Sequence, residues 1–146
     1  MVEITLIERE MTEEELARMN DGFNEHTIEN GNPLESAERF GYVAFAGDSF
    51  AGCSSGLAYR HVKGYSSWFY LSDLFVEKTY RGKGVGARLL KSLECQIKPL
   101  GIRYIYTWTA GYEAPEFYKR QGYAVFTEFE NYYLSGHSRV GLRKTL

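Results

Sequence analysis

Cysteine, proline and charge of one sign are all scarce in this chain, and each shortage excludes something. Two cysteines, Cys53 and Cys95, stand in 146 residues. They match no zinc spacing and build no disulfide framework, so no metal is expected and a reducing cytoplasm suits them. Three prolines (Pro33, Pro99, Pro115) are too scattered to mark a boundary. Repeats and low-complexity linkers are missing too, which makes residues 1–146 one expected domain. No apolar run approaches the ~20 residues that span a bilayer. The opening MVEITLIERE alternates apolar and charged residues, unlike a signal peptide. Neither a membrane nor a membrane partner is expected. Seventeen basic residues against nineteen acidic leave a net charge of -2, which argues against a generally basic nucleic-acid binder. Apolar surface, by contrast, is plentiful. Hydrophobic residues make up 44% and aromatics 16%, with 12 Tyr, 9 Phe and 2 Trp. That excludes a disordered chain, and a chain of this length buries roughly 70% of its unfolded surface.

Apolar periodicity sets out the expected elements. Val2 to Ile7 alternates like a strand. Thr12 and Glu15 form a capping box ahead of Leu16, Met19 and Phe23 at helical spacing. Gly31-Asn32-Pro33 breaks that helix, and a short second one is expected through Glu35–Arg39. Strand-like runs follow at Tyr42–Ala46, Phe50–Tyr59 and Trp68–Val76, with turns at Gly47-Asp48 and Lys63-Gly64. Val85, Leu89, Leu90, Leu93 and Ile97 then form one helical stripe over 84–98, ended by Pro99 and Gly101. Ile102–Thr109 reads as a strand, and Pro115 and Gly122 bracket a short helix. Tyr123–Phe129 and Val140–Leu146 are the last two strands. The order is β-α-α-β-β-β-α-β-α-β-β. A helical crossover makes the strands flanking 84–98 parallel, and the remainder is antiparallel. Tyr123–Phe129 and Val140–Leu146 are expected as sheet edges that could pair between chains, with Arg139, Arg143 and Lys144 guarding them. Monomer and homodimer both stay open.

The most informative stretch is the junction Leu74-Phe75-Val76-Glu77-Lys78-Thr79-Tyr80-Arg81-Gly82-Lys83-Gly84-Val85-Gly86-Ala87. It runs from a strand through a glycine-crowded loop into a helix N-terminus. There the first amides are unpaired and the helix dipole is positive. Lys78 to Leu93 holds five basic residues and no acid. In a slightly acidic chain, that points to a phosphorylated ligand. A nucleoside-triphosphate loop fails, because Ala87-Arg88 stands where Lys followed by Ser or Thr is needed. Gly82-Lys83-Gly84-Val85-Gly86-Ala87 satisfies the dinucleotide pattern G-x-G-x-x-G/A. The acid expected about 20 residues on is missing, however, since Thr107-Trp108-Thr109 stands there.

Arg81-Gly82-Lys83-Gly84-Val85-Gly86 resembles the (Q/R)-x-x-G-x-(G/A) pyrophosphate loop of the GNAT superfamily of acetyl-CoA-dependent N-acetyltransferases. Leu74-Phe75-Val76 is similar to that family's L-x-V strand end. Ala114-Pro115-Glu116-Phe117-Tyr118-Lys119-Arg120-Gln121-Gly122-Tyr123 is similar to its A-x-x-F-Y-x-x-x-G-F/Y segment, about 32 residues on. The Gly136-His137-Ser138-Arg139 tail and the element order extend the likeness over nearly the whole chain. The resemblance implies an α+β fold: a mixed, mostly antiparallel sheet of about seven strands with about four helices.

It also implies acetyl transfer from acetyl-CoA to a primary amine of a small molecule or peptide. By the same likeness, Leu74, Phe75 and Val76 would pair with the pantetheine arm. The amides from Gly82 through Lys83, Gly84, Val85 and Gly86 to Ala87 would hold the pyrophosphate. Arg81 would add charge or brace the loop. Phe117 would pack on the cofactor or the core, and Tyr118 would be the general acid for the departing thiolate. Asp73 and Glu113 are both candidate bases. His26 and His61 sit in polar, surface-like contexts, and His137 in a turn before the last strand. Phe23, Asn24, Tyr65, Trp68, Tyr70 and Tyr112 are expected to shape the acceptor pocket without identifying the amine. Gly111 departs from the family's usual Asn or Asp, leaving Thr107, Thr109 or a backbone group to make that contact. A non-catalytic CoA-binding regulatory module and, further off, a dinucleotide-binding oxidoreductase are the competing readings.

Overall fold

The computed structural model describes residues 2–146 and divides into two compact units, residues 1–34 and 35–146. The first holds helix α1, Glu13–Glu29. The capping box forms as expected: the Glu15 amide donates to Thr12 Oγ1 at 3.2 Å and the Thr12 amide to Glu15 Oε1 at 3.4 Å. Arg9 adds an ion pair to Glu15 at 2.8 Å. The Val2–Ile7 strand does not form; these residues have no regular structure. Alternation makes a strand only when a neighbouring strand accepts its hydrogen bonds, and this unit contains none.

The second unit is a seven-stranded sheet. Its strands are β1 Ser36–Ala46, β2 Ser49–His61, β3 Gly64–Tyr65, β4 Trp68–Val76, β5 Tyr104–Ala110, β6 Ala124–Phe129 and β7 Arg139–Thr145. The order is β1-β2-β4-β5-β7-β6, with β3 a two-residue addition to β2. Only β4 and β5 run parallel, joined by α2, Val85–Ile97. Helix α3, Pro115–Arg120, links β5 to β6. The expected helix at Glu35–Arg39 is instead the start of β1. Ser36 to Arg39 pair with Arg60 to Leu57, and that ladder overrides the local helix preference of Ala, Glu and Arg. The described residues therefore hold three α-helices, and the count of seven strands is met by β3 in place of Val2–Ile7.

One more expectation is corrected. β7 lies between β5 and β6, so it is an interior strand, and the edges are β1 and β6. Its basic residues do other work. Arg143 lies 4.6 Å over Trp68, Arg139 lies 5.2 Å over Trp108, and Lys144 pairs with Glu94 at 2.9 Å.

The core sits on one face of this sheet. Leu89, Leu90, Leu93 and Ile97 are the buried stripe of α2, packing on Phe69, Leu71, Ile105 and Leu142. Gly56 admits this contact, because a Cβ there would run into the Phe69 ring. The opposite face carries stacked aromatics, Trp68 on Tyr104 and Tyr70 on Tyr106, with centroids 4.7 and 5.0 Å apart.

Candidate active site

Strands β4 and β5 pair only from Trp68↔Tyr104 to Leu71↔Thr107. Beyond that point β4 stays on β2 as far as Val76↔Gly52, while β5 stays on β7 as far as Ala110↔Arg139. The two strands therefore part, leaving a gap between Ser72–Val76 and Trp108–Ala110. A bulge bends β4 away. Its register on β2 slips by one residue, with Gly56 facing Leu71 and Ser55 facing Asp73, so Ser72 is the extra residue. Thr107 closes the fork of the parting, its buried hydroxyl donating to the Leu71 carbonyl at 2.9 Å.

The bulge also reverses which side chains face the core. Phe69 and Leu71 point toward α2, and strict alternation would send Asp73 and Phe75 after them. The extra residue hands that face to Leu74 and Val76 instead. Leu74 packs against the core, and Val76 lies near Gly86. Asp73 faces the other side, beside Ser55, whereas the neighbouring Ser54 hydroxyl reaches the Leu89 carbonyl of α2 at 3.1 Å. Phe75 stacks on Phe50 at the surface.

Backbone direction alternates as well. The Glu77 amide donates to the Ala51 carbonyl at 2.8 Å, which turns Glu77 and Phe75 toward β2. Leu74 and Val76 thus direct their N–H and C=O groups into the gap. Of the three residues expected to offer backbone partners there, Phe75 does not. Arg81 Nε donates to the Val76 carbonyl at 2.9 Å, so this side chain braces the loop.

At the head of α2, Gly84 caps the helix with φ of +80°, a left-handed conformation that favours glycine. The first helical bond runs from the Arg88 amide to the Gly84 carbonyl. The Val85, Gly86 and Ala87 amides thus have no acceptor within the helix. The first turn holds no acid. Lys83 lies 5.8 Å over the Tyr80 ring, and a Cβ at Gly82 or Gly84 would stand in open space.

Helix α3 brings Phe117 and Tyr118 to the same side of the sheet as α2. Phe117 lies against the core and close to Gly86, so it bridges the core and the glycine loop. Tyr118 is buried between Phe117 and Tyr123, with ring centroids 5.3 and 5.4 Å away. Burial pushes its hydroxyl up to about 12. The neighbouring Thr107 opposes that rise, and the charge of Glu113 adds to it. Thr107 thus stands beside the Tyr118 hydroxyl, while its own hydroxyl proton goes to the Leu71 carbonyl. The phenol therefore lies beside the fork where β4 leaves β5. Glu113 lies on that side too, 3.5 Å from the Thr109 hydroxyl. The sheet separates the two candidate bases: Glu113 shares the Tyr118 side and Asp73 has the other.

Gly111 has a local explanation. Its amide donates to the Ser138 carbonyl at 2.8 Å, and a Cβ would press on that same oxygen at 3.3 Å. Of the residues expected around the acceptor, Trp68 and Tyr70 lie on the Asp73 side of the sheet. Tyr65 donates to Glu38 at 2.8 Å, Tyr112 packs edge-on to His137 and Tyr133, and Phe23 and Asn24 belong to α1. Sequence reasoning missed Ser72 and Arg39. Only the paired register exposes the bulge, and an arginine on a strand of mixed polarity carries no signal of its own.

Comparison with known proteins agrees with this architecture. The family profile described as an acetyltransferase (GNAT) domain matches residues 37–125. An acetyltransferase structure from Bacillus cereus ATCC 14579 is similar at 24% identity, with a TM-score of 0.79 over 97% of this chain and 98% of that one. A protein of Agrobacterium tumefaciens assigned as an acetyltransferase matches at 19% identity and a TM-score of 0.72, covering 99% and 100% of the two chains. A protein of Bacillus anthracis assigned as a streptothricin acetyltransferase, solved with acetyl coenzyme A, matches at 19% identity and 0.61 over 76% and 64%. No curated protein matches the sequence. The chain belongs to the GNAT acetyltransferase family. Its sheet has a single parallel pair, so the repeated βαβ units of a dinucleotide fold are not present. Among the described residues no helix is long and apolar enough to cross a membrane, and no cluster of His, Cys, Asp and Glu has the makings of a metal site.

Proposed function

We propose that the chain is an acetyl-CoA-dependent N-acetyltransferase that acts on a primary amine of a small molecule or peptide by direct transfer. The observation that carries this reading is the parting of β4 from β5, with the buried Tyr118 beside Thr107 at its fork. The donor set suits acetyl-CoA. Leu74 and Val76 offer the gap-facing backbone of an unpaired strand, to which an extended amide-bearing chain adds as another strand would. The amides from Gly82 to Ala87 suit a pyrophosphate, with Lys78, Lys83 and Arg88 supplying a positive field. Phe117 walls the loop from the core side. Bound there, acetyl-CoA supplies an activated acetyl thioester.

The residues divide the proton work across the sheet. Asp73, on the face away from α2, takes a proton from the attacking amine. As the carbon–nitrogen bond forms and the carbon–sulfur bond breaks, Tyr118 gives its proton to the sulfur. A phenol near 12 is fully protonated at neutral pH, so it is always present as a donor. Glu113 reinforces that state by disfavouring a tyrosinate beside it.

The test is thermal stability with acetyl-CoA, CoA and NAD, followed by thiol release from acetyl-CoA across an amine panel. A ligand at about 100 times its Kd adds ~2.7 kcal/mol to stability. Shifts with both CoA species but not NAD, together with thiol release, are expected. Tight CoA binding without thiol release from any amine would favour a binding module, and no shift at all would overturn the reading of the glycine loop.

A further inference from the structure

We infer that the acceptor carries a carboxylate beside its amine, and that Arg39 is the residue that binds it. The substrate class is then the free α-amino acid. This deepens the transferase reading above and rests on it.

The inference starts from an ion pair that does not close. On the face away from α2, Ser72 Oγ donates to Asp73 Oδ2 at 2.7 Å, and Arg39 Nη1 donates to the same Ser72 oxygen at 3.3 Å. Arg39 Nη1 also lies 3.3 Å from Ser55 Oγ. The guanidinium and the carboxylate are therefore two hydrogen bonds apart, with a serine hydroxyl between them. Among the described residues, Arg39 has no carboxylate within ion-pair distance, and its Nε and Nη2 donate to no protein group. Asp73 Oδ1 accepts no hydrogen bond either.

A guanidinium and a carboxylate set side by side but not in contact match a ligand with the opposite pair, an ammonium and a carboxylate a few bonds apart. Arginine is the side chain whose planar fork takes a carboxylate through two donors. The position is also right for the chemistry. Ser72 is the bulge residue where β4 leaves β5, so an amine drawn to Asp73 stands at the opening of the gap. The stacked Tyr70 and Tyr106 rings lie on this face and offer an apolar floor for the carbon skeleton.

The experiment compares the twenty standard L-amino acids with their carboxamides, which keep the amine and lose the charge. Thiol release from acetyl-CoA gives kcat/KM, and calorimetric titration of the CoA-loaded protein gives binding. For the preferred amino acid, kcat/KM is expected to exceed that of its amide by roughly ten- to a hundredfold, the usual worth of a hydrogen bond between charged groups. Arg39→Gln should bring that ratio close to one by raising KM for the amino acid, and Arg39→Lys should restore part of it. Thiol release with equal efficiency from amino acids and amides, or a ratio unchanged in Arg39→Gln, overturns the inference and leaves the transferase intact. Amino acids that bind through Arg39 without thiol release support the inference and overturn the transferase reading. Neither binding nor release overturns both.

Discussion

Replacing Tyr118 by Phe removes one oxygen from the fork between β4 and β5 and leaves the ring in its place. Phe117 and Tyr123 flank that ring edge-on, so no cavity larger than a hydroxyl opens. Losing the polar contact with Thr107 costs at most about 1 kcal/mol, and that loss is offset by no longer burying a phenol oxygen. Net stability should move by no more than ~1 kcal/mol. Affinity for acetyl-CoA should stay within about threefold, because the proposed binding groups lie on β4 and in the glycine loop. Turnover is where the loss should appear. A positioned general acid contributes roughly 10²- to 10⁴-fold, so kcat should fall by at least a hundredfold. Continuous thiol release measures kcat, and titration with CoA measures affinity. If kcat stays within threefold of the parent while affinity is unchanged, Tyr118 is not the acid and its contact with Thr107 serves packing alone.

Thr107→Val keeps the shape of the side chain but leaves the buried Leu71 carbonyl without its donor, so chemical denaturation should report a loss of about 1–3 kcal/mol. Gly84→Ala places a Cβ in open space at φ of +80°, so the expense is backbone strain of roughly 1–2 kcal/mol; CoA affinity should fall with the distortion of the loop, read by titration. Alkaline unfolding supplies a third check. The folded value of Tyr118, about 12, lies above the ~10 of an unfolded tyrosine. Its contribution is therefore fully present below pH 10 and is lost as pH climbs through 12, a loss of about 3 kcal/mol. Denaturant titrations between pH 9 and 12 should show a shallower decline for Tyr118→Phe than for the parent.

The β4 strand was legible in the sequence from Trp68 to Val76, and so was the α2 stripe, because both are long, strongly periodic and bounded by turn or glycine signals. Helix α3 was legible from Pro115 and Gly122, which bracket it, and the glycine loop from its three glycines between a strand and a helix. Glu35–Arg39 misled because its local preference is helical while its fate depends on β2 extending to His61, a partner more than twenty residues away. Val2–Ile7 misled in the opposite sense, since the pattern is there and the ladder is not. Within the site, Asp73 and Tyr118 could be named from the chain, but their separation by the sheet could not. That depends on the slip at Ser72, a relation between two strands that no single stretch of sequence displays. Arg81 shows the same limit, because whether it faces outward or back to Val76 is decided by the loop's path.

The extra residue at Ser72 makes chain length a stricter requirement here than side-chain identity. Removing any one residue between Leu71 and Leu74 would restore strict alternation. Leu74 and Val76 would still face α2, but the bend that carries β4 away from β5 would go, and with it the opening of the gap. Most replacements at Ser72 preserve the bulge, whereas a single deletion removes it and straightens the strand along β5. Divergence in this segment should therefore proceed by substitution at constant length, with insertions and deletions confined to the turns on either side.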